Sequence, residues 1–248
     1  MPISSPYDLL IVVLMIFFSG FLVFGFAFGE LSSDRTRRQS KLTQLPQSVI
    51  LVVCALIWWL AGARGTEVEM FSRYLFIGMA MGFVGDVTLG GLLRLRMPVI
   101  WGMLAFGVGH VFYLLALREL QILFSLDDPR ALVIALVIAA VVSVGTWRGL
   151  VFVPGGDAVL NAGSLAYGLL LGGMVAYAAA LAVQLPAFLP FAVGGVLFLI
   201  SDILLGNHLF RRTRQYLVGD AIWFTYILGQ ALIVFSNATA LSLLQAAL

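Results

Sequence analysis

The sequence is poor in charge and in the side chains that bind metals or form disulfides. Only 10% of its 248 residues are charged, 62% are hydrophobic, and the mean hydropathy is +1.07, which excludes a soluble globular chain. The single cysteine, Cys54, cannot form an internal disulfide, and two histidines without an H-x-x-x-H pair do not make a zinc site. There is no P-loop, nucleotide fingerprint or G-x-S-x-G motif, which disfavours ATP-driven and serine-hydrolase functions. We expect no nucleic-acid partner.

Long apolar runs occupy most of the chain instead. About 20 residues cross the hydrocarbon core of a membrane as a helix. Eight such runs lie at roughly 7–29, 46–63, 72–93, 97–118, 130–147, 158–183, 187–206 and 217–244. They are continuous and lack the two-residue alternation of β-barrel strands. The sequence therefore predicts an all-α fold, a single domain over residues 1–248 built as a polytopic bundle of about eight transmembrane helices. We expect the first run to be a retained span, because no basic segment precedes it.

The lysines and arginines are unequally shared between alternate loops. Ten fall on one face of the predicted bundle and four on the other. The ten are Arg35, Arg37, Arg38, Lys41, Arg94, Arg96, Arg148, Arg211, Arg212 and Arg214. Cytoplasmic loops carry the excess of basic residues, so this face is predicted to be cytoplasmic and both termini outside. We expect an integral, multi-pass protein of the bacterial cytoplasmic (inner) membrane.

Two aspartates stand inside apolar runs, in segments that resemble each other. FVGDVTLG around Asp86 and LISDILLG around Asp202 share D-x-x-L-G. At the same register, His110 and Tyr226 each follow their aspartate by 24 residues (110 − 86 and 226 − 202). The pattern predicts a parallel internal repeat four spans apart. Chance similarity in a chain rich in leucine and glycine is the alternative.

An ionisable side chain at membrane depth is costly, so it indicates a functional site. Two carboxyls at matched depth repel each other, and one is expected protonated and the other ionised near neutral pH. That pairing can supply a general acid and a general base. The alternative is structural, with each aspartate capping or cross-linking helices through a neighbouring Tyr, Ser or Trp. His110 could likewise relay a proton or act only as a hydrogen-bonded packing residue.

Four motifs in order along the chain resemble the YhhN-like, lysoplasmalogenase family of integral membrane proteins. They are G-D-x-x-L at 85–89, F-G-x-G-H-x-F-Y at 106–113, S-D-x-x-L at 201–205 and Y-x-x-G-Q-x-L-I at 226–233. The resemblance implies hydrolysis of the vinyl ether bond of a lysoplasmalogen, with Asp86 and Asp202 as catalytic residues and no metal or organic cofactor. The expected supporting residues are His110, Tyr113, Tyr167, Tyr226, Gln230, Lys41 and Asp220.

The expected partners are a lysophospholipid-type substrate and membrane lipids, and the oligomeric state stays open. Two other classes of function remain. The aspartates could bind a cation or shuttle protons in a transporter, as a parallel repeat would also suit. The protein could also bind lipids without turning them over.

Overall fold

A computed structural model describes residues 6–247, and almost all of them are helical. The eight long helices are α1 Pro6–Ala27, α2 Lys41–Ile57, α3 Glu69–Leu89, α4 Pro98–Leu123, α5 Pro129–Thr146, α6 Ala158–Gln184, α7 Leu189–Arg211 and α8 Val218–Ala247. Helices α2 and α5 continue into π-helical turns, Trp58–Ala63 and Trp147–Val151, and a 3₁₀ turn, Pro186–Phe188, precedes α7. The predicted all-α polytopic bundle is confirmed.

Seven of the helices within residues 6–247 are long and apolar enough to cross a membrane. The exception is α3, which carries Glu69, Arg73 and Asp86 along its 21 residues. It packs most extensively against α4, and α7 packs in the same way against α8. The multi-pass membrane prediction is thus supported, while the particular membrane and the orientation stay predictions.

A small hairpin between α1 and α2 was not predicted from the sequence. Strands β1 Glu30–Leu31 and β2 Arg37–Arg38 pair antiparallel, and the Arg37 amide donates to the Tyr216 carbonyl at 2.6 Å. Strands of two residues carry no alternation that a sequence pattern could reveal. In the turn between them, hydrogen bonds from the Thr36 side chain and backbone hold the pKa of Asp34 below its ordinary value.

The four basic loops meet at one end of the bundle, here called the basic end. Side chains from one loop reach groups of another: Lys41 donates to the Gly90 carbonyl, Arg211 to the Gly149 carbonyl, and Arg37 to the Asp220 carboxylate. These contacts join the α1–α2, α3–α4, α5–α6 and α7–α8 connections. Alternate loops therefore share one end, as the sequence predicts for a bundle that crosses back and forth.

The two halves cross their helices at equivalent positions. An added Cβ at Gly78 of α3 would collide with the Tyr113 ring of α4, and one at Gly194 of α7 would collide with the Gly229 carbonyl of α8. Gly194 follows Gly78 by 116 residues (194 − 78), and Gly229 follows Tyr113 by 116 (229 − 113). This is also the spacing of the two D-x-x-L-G aspartates (202 − 86). The packing therefore supports a parallel repeat.

A second pair of contacts has the same register. An added Cβ at Gly85 would collide with the Phe106 ring, so α3 and α4 approach closely there. The equivalent pair on α7 and α8 is Ser201 and Ile222, and the Ser201 hydroxyl donates to the Ile222 carbonyl at 2.9 Å. Both contacts lie beside a D-x-x-L-G aspartate, so the repeat places the two carboxyls in corresponding positions.

Candidate active site

Asp86, in the last turns of α3, is held by hydroxyl groups from two other helices. Ser48 of α2 donates to its carboxylate at 2.5 Å, and Tyr226 of α8 donates at 2.9 Å. Beyond this pair, the Tyr113 hydroxyl of α4 donates to Gln230 of α8 at 2.6 Å. All four of these side chains are buried. Because both hydroxyl donors are enclosed by the bundle, the Asp86 carboxylate has a fixed position.

Asp202 of α7 has a different set of partners. Tyr167 of α6 donates its hydroxyl proton to the Asp202 carboxylate, and the same hydroxyl lies 3.1 Å from His110 Nε2. When the tyrosine gives its one proton to an ionised Asp202, its oxygen accepts a hydrogen bond from the protonated Nε2 atom of His110. Its Nδ1 atom is buried and has no hydrogen-bond partner within residues 6–247. His110 therefore acts on Asp202 through Tyr167.

Aromatic rings lie between these two hydroxyl networks. Phe198 packs edge-on against the His110 ring at 4.8 Å and against the Tyr226 ring at 5.2 Å, and Phe106 packs against both Phe198 and Tyr226. Phe198 therefore contacts a ring of each network, His110 on the Asp202 side and Tyr226 on the Asp86 side. The two networks are neighbours separated by aromatic rings.

A cavity between α4, α5, α6 and α7 reaches Asp202 and Tyr167. The space free of protein atoms is about 720 Å³, which includes the open mouth of the cavity. Most of its wall consists of aliphatic and aromatic side chains, and the wall contains neither lysine nor arginine in the part of the chain that the structure describes. Asp86 does not line it. The cavity can therefore accept an apolar group next to one carboxyl only.

Two of the predicted supporting residues lie at the basic end and not in the hydroxyl networks. The exposed Lys41 ammonium donates to the Gly90 carbonyl and so caps the C-terminus of α3. Asp220 is buried and forms an ion pair with Arg37. The other five, His110, Tyr113, Tyr167, Tyr226 and Gln230, lie with the aspartates as described.

Ser48 is the site residue that sequence analysis missed. The adjacent Gln47 was also missed, and it accepts a hydrogen bond from the Trp223 indole at 3.0 Å beside the Asp86 network. The available signal was a Gln-Ser pair inside an apolar run. Within residues 6–247 there is no group of three or more His, Cys, Asp or Glu side chains placed to hold a metal ion.

These features define a polytopic helical membrane protein with a carboxyl–hydroxyl site inside the bundle. A protein-family model described as the YhhN family matches residues 43–237, and the chain belongs to that family. The match includes both aspartates and every residue of the two hydroxyl networks. Comparison with curated proteins and with solved structures found no match.

Proposed function

We propose that the protein is a membrane-embedded hydrolase that cleaves the vinyl ether bond of a lysoplasmalogen or a related ether lysolipid. The products are a fatty aldehyde and a glycerophospho-alcohol. The observation that carries the proposal is the pair of carboxyls inside the bundle, each bound by a tyrosine hydroxyl, of which Asp202 lines an apolar cavity. Membership of the YhhN family and the resemblance described above support the same chemistry.

The reaction requires one acid and one base. A carboxylic acid delivers a proton to the β-carbon of the vinyl ether, which leaves an oxocarbenium ion at the carbon bonded to oxygen. Water adds to that carbon and gives its proton to the second carboxylate. The second carboxyl, now protonated, then gives its proton to the glycerol oxygen while the first, now a carboxylate, takes the hemiacetal hydroxyl proton. The bond to the glycerol oxygen breaks, the aldehyde and the alcohol leave, and both carboxyls return to their starting states. Asp86 and Asp202 supply the two carboxyls, as in glycosidases, whose transition state has the same oxocarbenium character.

The groups around the carboxyls suit this reaction. The π-system of Phe106, which lines the cavity together with Asp202, can stabilise a positive charge that develops there. Tyr167 orients Asp202, and Tyr226 orients Asp86. No step of the proposed reaction needs a metal or an organic cofactor, because every proton transfer uses a protein carboxyl.

The direct test is aldehyde release from a lysoplasmalogen by the purified protein in detergent. Asp86→Asn and Asp202→Asn keep the shape of the side chain but remove its acid–base chemistry. Each should lower turnover by roughly 10²–10⁴-fold. Helical circular dichroism and a single gel-filtration peak control for folding. Turnover retained by both folded variants would contradict the mechanism.

A second candidate is a proton- or cation-coupled transporter that uses the same aspartates. The observation that favours it is the parallel repeat seen in the matched helix crossings, because many carriers are built from such repeats. Reconstitution in liposomes separates the candidates. A carrier would give flux of protons or cations without aldehyde release, and the hydrolase would give aldehyde without flux.

A further inference from the structure

The repeat allows a residue-by-residue comparison of the surroundings of the two aspartates. A spacing of 116 residues carries Asp86 onto Asp202 and carries Ser48 onto Ser164. Ser48 donates to Asp86. Ser164 instead accepts a hydrogen bond from the Trp147 indole at 3.1 Å and lines the cavity. The two equivalent serines therefore differ in their contacts. Ser48 donates to its aspartate, whereas Ser164 lines the cavity.

The space beside Asp86 is filled by two large side chains. Trp223 of α8 and Gln47 of α2 are both buried and are joined by the 3.0 Å indole hydrogen bond. Carried over by the same spacing, these positions become Gly107 on α4 and Gly163 on α6. The surroundings of Asp202 thus have no side chains at the two positions that a tryptophan and a glutamine occupy beside Asp86.

The cavity lies beside these two glycines. Their neighbours Phe106 and Ser164 line it, and so do Met103 and Tyr167. An added Cβ would meet Met103 at 3.5 Å from Gly163 and Tyr167 at 3.9 Å from Gly107, which are ordinary van der Waals distances. Backbone packing therefore does not require glycine at either position. Glycines thus take the place of the tryptophan–glutamine pair on the Asp202 side, where the cavity reaches the carboxyl.

We propose that this cavity binds the hydrocarbon chain of one ether lysolipid and brings its reactive end to Asp202, while the equivalent space beside Asp86 is closed. The identity of the lipid rests on the proposed function. The aliphatic and aromatic wall fits a hydrocarbon chain, and the absence of basic side chains from the described wall places the phosphate head group outside it.

Helix α6 offers a matched pair of variants that tests the site. Gly168 lines the cavity, and an added Cβ there meets no atom within 4 Å, so the side chain of Gly168→Leu would extend into the cavity. Gly173 lies on the same helix, is also half-buried and also has no atom within 4 Å of an added Cβ, but it does not line the cavity. Both substitutions replace a glycine inside a helix, so their effects on helix propensity are equal.

The experiment measures binding of a non-hydrolysable alkyl-ether lysolipid in detergent, beside aldehyde release from the vinyl ether. Gly168→Leu should weaken binding of the alkyl ether and raise KM by about tenfold or more, because the added side chain takes the place of the lipid chain. Gly173→Leu should change either quantity by less than about twofold. Equal binding by the two variants, whether both normal or both impaired, would overturn the proposed chain site.

The two readouts also separate this inference from the proposed function. Wild type that binds the alkyl ether but releases no aldehyde, with binding weakened only by Gly168→Leu, would leave the chain site standing and contradict the hydrolase. Aldehyde release that Gly168→Leu leaves unchanged in KM would support the hydrolase and contradict the chain site.

Discussion

The Asp86 half and the Asp202 half share a helix arrangement but differ in what surrounds the carboxyl. Asp86 receives two buried hydroxyl donors and is packed beside the Trp223–Gln47 pair. Asp202 receives one hydroxyl, from Tyr167, and faces a cavity. A repeated fold has therefore produced two non-equivalent carboxyls. That difference suits a reaction in which one carboxyl meets the substrate chain and the other is held by the protein.

The largest expected effect on stability comes from removing the tryptophan that packs beside Asp86. Trp223→Ala removes a buried indole and leaves Gln47 without its donor. We expect the free energy of unfolding to fall by about 3–5 kcal/mol. Thermal unfolding in detergent measures the change. The control is Trp101→Ala, which replaces an exposed tryptophan at the start of α4 and should cost far less. Equal losses would show that the Asp86 half is not a packed, closed site.

Substitution of the two tyrosines tests whether the two carboxyls contribute differently to kcat. Tyr167→Phe removes the hydroxyl that links Asp202 to His110, whereas Tyr226→Phe leaves Asp86 with its Ser48 donor. Since a hydrogen bond to a charged group contributes about 1.5–3 kcal/mol, we expect kcat to fall roughly 100-fold in Tyr167→Phe and roughly tenfold in Tyr226→Phe. Steady-state aldehyde release gives both values. A larger fall of kcat in Tyr226→Phe than in Tyr167→Phe would contradict the view that Asp202 depends on a single hydroxyl donor while Asp86 has two.

An ion pair at the basic end joins the β2 strand to the start of α8. It is formed by Arg37 and Asp220, and Asp220 is buried. Asp220→Asn removes the negative charge beside Arg37, which keeps the Phe26 carbonyl as an acceptor, and should cost roughly 1–3 kcal/mol of unfolding free energy with little change in kcat. Thermal unfolding and aldehyde release are measured together. A loss of kcat without a loss of stability would return Asp220 to the active site, as the sequence had suggested.

The smallest expected effect is at Lys41. Its ammonium is exposed and donates to the last carbonyls of α3, so Lys41→Met should cost roughly 0.3–1 kcal/mol of unfolding free energy. Turnover should change by less than about twofold, because Lys41 caps the helix and does not contact Asp86. Kinetics of the purified variant check this, and a large fall in kcat would give Lys41 a direct role.

The sequence could predict the aspartates and tyrosines because a polar side chain inside an apolar run stands out whatever its partner. It could also predict the helices, since their hydrophobic runs match the membrane thickness. It could not predict Ser48 or the Gln47–Trp223 pair. Serine and glutamine are common packing residues, and the two members of that hydrogen bond lie 176 residues apart in the chain. The cavity was also unpredictable, because its wall is assembled from residues that lie far apart in the chain, on α4, α5, α6 and α7.

The central claim is that two intramembrane carboxyls perform acid–base cleavage of a vinyl ether. Aldehyde release by purified wild type, Asp86→Asn and Asp202→Asn in detergent tests it most directly. The account predicts release by wild type and its loss in each folded variant. Release that persists in both variants, or its absence from folded wild type supplied with lysoplasmalogen, would contradict it.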